Sequence, residues 1–115
     1  MKRQRLPNRR GHELLDFEHS GIRYTAGVGR FEDGGLAEIF LNTAKHGTAI
    51  DVNARDAAVA ASLLLQHGCS VDTLRQALTR NGDGSGSGPL ARALDLLAGG
   101  RRIWRAHRPP FGSRT

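Results

Sequence analysis

Residues 81–97 read NGDGSGSGPLARALDLL, a glycine-rich run that stops at a proline and opens onto an amphipathic helix. Such a run can cradle a phosphate, because backbone N–H groups and the positive end of a helix dipole both face an incoming anion. A Walker-type loop, however, needs a lysine and a serine or threonine after the last glycine to reach phosphate and magnesium. Here Gly88 is followed by Pro89 and Leu90. The dinucleotide fingerprint requires a preceding strand in a parallel βαβ unit, whereas this run follows a helical segment. The stretch therefore reads chiefly as a flexible loop and a helix start, with Ser87 as N-cap and Pro89 in the favoured first helical position.

Metal or acid–base chemistry would have to come from His12, His19, His46, His67 and Cys69, or from Asp51, Arg55 and Asp56. His67-Gly68-Cys69 brings two donors close in sequence, but the turn expected at Gly68 points them apart and no third ligand is spaced for zinc. With one cysteine in 115 residues the chain forms no internal disulfide and no multi-thiolate site of its own. Cys69 follows a helix C-terminus, whose negative dipole end opposes a thiolate, so it reads as a quiet, partly buried residue. Asp51, Arg55, Asp56 and Gln66 read as the wet edge of a helix. No catalytic, cofactor or metal residue is assigned on these grounds.

Charge is more informative by place than by total. Residues 1–10 carry Lys2, Arg3, Arg5, Arg9 and Arg10, and residues 101–115 carry Arg101, Arg102, Arg105, Arg108 and Arg114, with no acidic side chain in either segment. Residues 11–100 hold 7 basic and 11 acidic side chains, so the net charge of +6 belongs to two arms. Attraction to a polyanion should therefore reside in Arg9, Arg10, Arg101, Arg102, Arg105 and Arg108, with Trp104 available to stack on an exposed base. The longest apolar stretch, Ala57 to Leu65, is broken by Ser62 and falls far short of the roughly 20 residues that cross a bilayer. MKRQRLPNRR lacks the apolar segment of a secretory signal, so no membrane partner and a cytoplasmic location are expected.

The elements that position these groups are legible from hydrophobic period. Leu15 to His19 alternates apolar and polar, Ser20-Gly21 supplies a turn, and Ile22, Tyr24, Ala26 and Val28 form the apolar set of a second strand. Gly27 and Gly29 leave gaps on the opposite side. Asp33-Gly34 marks a second hairpin, and Leu36 to Leu41 is the third strand of a meander. The period then changes to 3.6. Thr48 or Asp51 caps a helix over residues 48–67, whose apolar set Ile50, Ala54, Ala57, Ala58, Ala61, Leu64 and Leu65 is widened by Val52, Val59 and Leu63 until burial is nearly all round. Gly68 ends it. Ser70 heads a short helix that ends near Arg80, and Leu90, Leu94 and Leu97 stripe the last one. The expected class is α+β: a three-stranded antiparallel meander packed against a central helix, with two further short helices. Residues 1–12 form a basic extended arm, 13–98 the domain, and 99–115 a basic flexible tail.

LPNRR, then HSGIRYTAGVGRFEDGGLAEIFLN, then an alanine-rich helix running into SLLLQHGCSVDTLRQAL, resemble in order and spacing the TSCPD domain, a module at or near the C-terminus of adenosylcobalamin-dependent ribonucleotide reductases that also occurs as short stand-alone proteins. The resemblance covers residues 5–98 and is carried by Gly21 with Tyr24, by Glu38-Ile39-Phe40, and by Ser62-Leu63 with Leu65-Gln66-His67-Gly68. The family's Thr-Ser-Cys-Pro-Asp run corresponds here to Gly86-Ser87-Gly88-Pro89-Leu90, which keeps the serine and proline and lacks the thiol. The resemblance implies a non-catalytic accessory or regulatory module associated with ribonucleotide reductase, nucleotide metabolism and DNA replication. Its partner would be a ribonucleotide reductase or another protein. Adenosylcobalamin would belong to the full-length enzymes and not to this chain, which has no room for the reductase barrel.

The arms alone support a different class of function, a nucleic-acid-binding module. If Arg101, Arg102, Arg105 and Arg108 each neutralise one phosphate of duplex DNA, the slope of log K against log salt is about −3.6, from roughly −0.9 per phosphate. Trp104→Ala then costs ~1–3 kcal/mol on single strands. Truncation after Gly100 abolishes this binding; equal affinity in the truncated and full chains would show the arms to be solubilising only.

Overall fold

The computed structural model describes residues 13–98 together with the backbone of Trp104 and Arg105. The two arms, including Arg9, Arg10, Arg101, Arg102 and Arg108, lie outside the described residues.

Strand β1 (Glu13–His19) pairs antiparallel with β2 (Ile22–Arg30), which pairs antiparallel with β3 (Leu36–Thr43). The register sets Leu15 opposite Ala26 and Val28 opposite Ile39, so the apolar alternation of the strands falls on one face. At the first hairpin His19 pairs with Ile22, and Ser20 and Gly21 both have positive φ, 53° and 78°. That is the two-residue turn whose twist matches the flanking strands. On the outer face, the space beside Gly27 takes the side chains of Phe40 and Leu14, and Glu38 lies over Gly29.

A fourth strand, β4 (Trp104–Arg105), joins the β1 edge, with Leu14 opposite Trp104 and Glu13 opposite Arg105. The sheet order is β3-β2-β1-β4. Two residues inside the segment read as a tail thus carry backbone pairing, and two residues are too few for period 2 to show in the sequence.

Helix α1 (Ala49–Gln66) starts at Thr48, whose Oγ1 accepts the N–H of Asp51 at 3.2 Å. It stops at Gly68, where φ is 99°. Cys69 N–H there reaches the Leu64 carbonyl and Gly68 N–H that of Leu65, the two bonds of a Schellman ending. Cys69 packs against the core at that point and has a structural place in the turn. Ser70 caps α2 (Val71–Ala77) by accepting Thr73 N–H, and α3 (Pro89–Ala98) begins at its proline.

The core is Leu15, Tyr24, Ala26, Val28, Ile39 and Leu41 from the sheet, met by Ala54, Ala58, Ala61 and Leu65 of α1 and by Leu90, Ala93 and Leu94 of α3. Positions 54, 58, 61 and 65 make one narrow stripe of α1, and their alanines bring the helix close to β3. Two expectations are corrected here. Burial of α1 is not nearly all round: Ile50, Val52, Val59, Leu63 and Leu64 are 42–51% exposed, because the contact row is only one stripe wide. Asp51 and Gln66 are not on a wet edge either, being 2% and 4% exposed.

Both residues, with Ser62, face β3, the edge strand of the sheet. Ile39 N–H donates to Ser62 Oγ at 2.9 Å, and the same hydroxyl donates back to the Ile39 carbonyl at 3.0 Å. Gln66 Nε2 donates to the Ala37 carbonyl at 3.1 Å, and Thr43 N–H donates to Asp51 Oδ1 at 3.2 Å. The helix thereby occupies hydrogen-bonding positions that a neighbouring strand would otherwise take.

Ser62→Ala removes both bonds to Ile39 in a buried setting. An unfolding free energy lower by about 1–3 kcal/mol is expected from chemical denaturation. An unchanged midpoint would mean that the Ser62 bonds contribute nothing to the closure.

Candidate functional site

The glycine run closes on itself. Asn81 N–H donates to the Ser85 carbonyl at 2.8 Å, Gly84 N–H to Asn81 at 2.9 Å, and Ser87 N–H to Thr79 at 3.0 Å. Arg80 and Gly86 form an isolated antiparallel bridge. Ser85 N–H and its hydroxyl both donate to Asp83 Oδ1, which lowers the Asp83 pKa. The run is therefore an internally bonded loop and not a flexible spacer, and the N–H groups of Gly84, Ser85, Gly86 and Ser87 that could have cradled a phosphate are directed to internal acceptors.

Asp95, one turn and a half into α3, holds this loop. Its Oδ2 accepts Arg80 Nη1 at 2.6 Å and Gly86 N–H at 3.1 Å, and its Oδ1 accepts Arg75 Nε at 3.1 Å. Arg80 also donates through Nε and Nη2 to the Arg75 carbonyl near the end of α2, where a helix leaves carbonyls without partners. Gly86 is needed for close contact: a Cβ there would lie 2.5 Å from the Ala91 Cβ. The expected cap is corrected too, because the Ser87 hydroxyl donates to Asn81 Oδ1 at 2.8 Å and Gly88 occupies the position before Pro89. In the ARALDLL sequence Asp95 reads as an ordinary polar residue of an amphipathic helix, so its role had no local signal.

This arrangement sets the start of α3 across from α1 and leaves a groove of about 380 Å³ between them. Ile50, Ala54 and Ala57 form one wall, Leu78, Pro89 and Leu90 the other, and Tyr24 reaches it from β2. Tyr24 is 5% exposed, stacks on Phe17 with ring centroids 5.4 Å apart, and meets the His19 ring edge-on at 6.5 Å. His19 in turn donates from Nε2 to the Ser87 carbonyl at 2.8 Å, tying the first hairpin to the loop. Burial pushes the Tyr24 phenol pKa upward from its ordinary value. Tyr24 was legible in the sequence as a strand residue of the inward set, whereas the groove depends on residues from three separate elements.

Among the described residues the candidate donors do not converge, and His12 lies outside them. His46 accepts from Arg55 Nη2, His67 donates to the Leu63 carbonyl, and His19 serves Ser87. Among the described residues no group of three His, Cys, Asp or Glu side chains is placed to hold a metal ion. Asp51, Arg55 and Asp56 form no acid–base cluster: Arg55 Nε donates to Asp51 Oδ2 at 3.0 Å, Gly47 N–H donates to the same oxygen at 3.2 Å, and Asp56 is exposed. Of the proposed polyanion contacts, only the backbone of Trp104 and Arg105 is described, in β4. No helix among the described residues is long and apolar enough to cross a membrane.

Over 78 residues the chain is 33% identical to the vitamin B12-dependent ribonucleotide reductase of Agrobacterium fabrum (strain C58 / ATCC 33970). The match takes in 68% of this chain and 6% of that protein, so the chain corresponds to a small part of its relative. No family model and no solved structure matches.

The buried Asp51 and the partly buried Asp95 give stability a defined pH dependence. Burial alone would raise the Asp51 pKa, but bonds from Thr43, Gly47 and Arg55 outweigh it and leave the pKa below its ordinary 3.8. At Asp95 the Arg80 hydrogen bond is the main cause of a shift below 3.8, against burial and with help from Arg75 and Gly86. A carboxylate depressed in the folded state contributes stability that is complete above its unfolded value and is lost as pH falls through the folded one. The denaturation midpoint is therefore expected to show no loss from these two groups down to about pH 5, then to decline as protons return to them. Asp95→Asn should make that acid decline shallower, and an equally steep decline in the variant would count against the loop staple.

Proposed function

We propose that this chain is a TSCPD-like module, non-catalytic by itself, that serves a ribonucleotide reductase as an accessory or regulatory part in deoxyribonucleotide synthesis. The observation that carries this reading is the 33% identity with a segment amounting to 6% of a vitamin B12-dependent ribonucleotide reductase. A module of that proportion suits a role in docking or regulation. The chemistry of the described residues supports the same reading. Asp51 and Asp95 are engaged by structural donors, and the chain's one cysteine, Cys69, sits in a helix-ending turn and has no second thiol with which to cycle electrons.

Adenosylcobalamin does not fit the groove that the described residues form. A corrinoid is several times larger than a groove of about 380 Å³, and the walls of that groove are mainly apolar. On this reading cofactor and substrate chemistry belong to the partner, and this chain contributes recognition.

The test is to titrate the full chain into the vitamin B12-dependent reductase of the same cell and follow association and turnover together. The chain alone should reduce no ribonucleotide. Added to the reductase, it should bind at micromolar concentration and change turnover or its response to nucleotides, and Cys69→Ser should behave as the parent does. Turnover by the chain alone, or loss of effect in a folded Cys69→Ser, would contradict this reading. Failure to bind the reductase alongside salt-sensitive DNA binding would replace it with the nucleic-acid role of the arms.

A further inference from the structure

The groove between α1 and the start of α3 holds two features that the fold leaves unaccounted for. The first is the Tyr24 hydroxyl: its side chain is 5% exposed and lines the groove, yet the hydroxyl has no hydrogen-bond partner among the described residues. Buried tyrosine hydroxyls ordinarily find one. The second is the opening of α3, a helix of 10 residues whose first residue is a proline without an N–H. The N–H groups of Leu90 and Ala91, next in the helix, meet no acceptor among the described residues, and both residues are buried and line the groove. These are the positive end of the helix dipole. In the glycine loop before them the N–H groups of Asn81, Gly84, Ser85, Gly86 and Ser87 are already used by internal acceptors.

We propose that this groove is a binding site for a small molecule with an apolar body and a single carboxylate. The body lies between Ala54 and Ala57 on one side and Leu78 and Leu90 on the other. The carboxylate accepts from the Leu90 and Ala91 N–H groups and from the Tyr24 hydroxyl, a phenol that is protonated and able to donate at neutral pH. Asn53 and Thr79 add neutral polar groups to the lining, and no lysine or arginine is among the described lining residues. Helix-end N–H groups and a phenol suit one negative charge, whereas a dianionic phosphate would lose its hydration without a cation to offset the loss. The volume of about 380 Å³ falls within the range of small-molecule sites. This site is independent of the reductase association.

The test uses the full chain, isotope-labelled, titrated with 4-phenylbutyrate, its neutral amide and phenyl phosphate while amide resonances are followed. The carboxylate should saturate shifts at Leu90, Ala91 and Ala57, with the amide and the phosphate about tenfold weaker or more, since a hydrogen bond to a charged group is the stronger kind. Tyr24→Phe keeps the ring stack on Phe17 and should weaken the carboxylate about tenfold while unfolding at the same denaturant concentration or higher. A merely structural hydroxyl would instead lower that midpoint. Ala57→Leu fills the wall and should abolish binding with the sheet resonances unchanged. Equal affinity for carboxylate and amide, shifts centred elsewhere, no saturable shift at millimolar probe, or full binding in Tyr24→Phe would each overturn the proposal.

Discussion

Strand β3 is an edge, and an edge strand presents backbone N–H and C=O groups that must find partners or meet water. In this fold the partners come from α1. Asp51, Ser62 and Gln66 lie along one side of that helix and reach the outward groups of Thr43, Ile39 and Ala37. Burying three polar side chains would be costly without hydrogen bonds, and here the backbone of β3 supplies them. The alanine row at 54, 58 and 61 is the other half of the arrangement, since only small side chains let the helix come near enough for a serine to span the gap. The groove depends on the same placement, because α1 fixed against β3 is one of its walls.

The opposite wall depends on a second polar centre. Asp95 gathers Arg75 from α2, Arg80 from the loop and the Gly86 backbone onto one carboxylate, and Gly86 sits too close to Ala91 for any side chain. The loop is thereby bound to the helix it precedes, and the first residues of α3 line the groove. His19 links the same loop to the β1–β2 hairpin and touches the Tyr24 ring. The groove is therefore shaped by bonded elements on each side, which is the condition for a site that holds its form before a ligand arrives.

Most of the architecture was legible in the sequence because it rests on local rules. Ser20-Gly21, the alternation through Tyr24, Ala26 and Val28, the Thr48 and Ser70 caps and the Gly68 stop each act within a few residues, and each is where the period placed it. The hidden features depend on long-range partners. A polar residue on a helix reads the same whether it faces water or an open strand edge, so Asp51 and Gln66 read as the wet side. The width of the apolar set on α1 implied more covering than one sheet and α3 supply, leaving Val59 and Leu63 exposed. Neither Asp95 as a loop staple nor the unpartnered Tyr24 hydroxyl has a local signature. The resemblance at Gly86 to Leu90 located the start of α3 but not the groove in front of it.

The central physical claim is that α1 takes the place of a neighbouring strand, and amide hydrogen exchange at β3 measures it directly. Ile39 and Thr43 N–H groups point to the side chains of α1, where an open edge would leave them to water. They are expected to exchange as slowly as the amides paired between β2 and β3, within about tenfold, because both sets open only with the cooperative core. Exchange of Ile39 and Thr43 at the rate of exposed loop amides, while the β2–β3 pairs remain protected, would contradict this account.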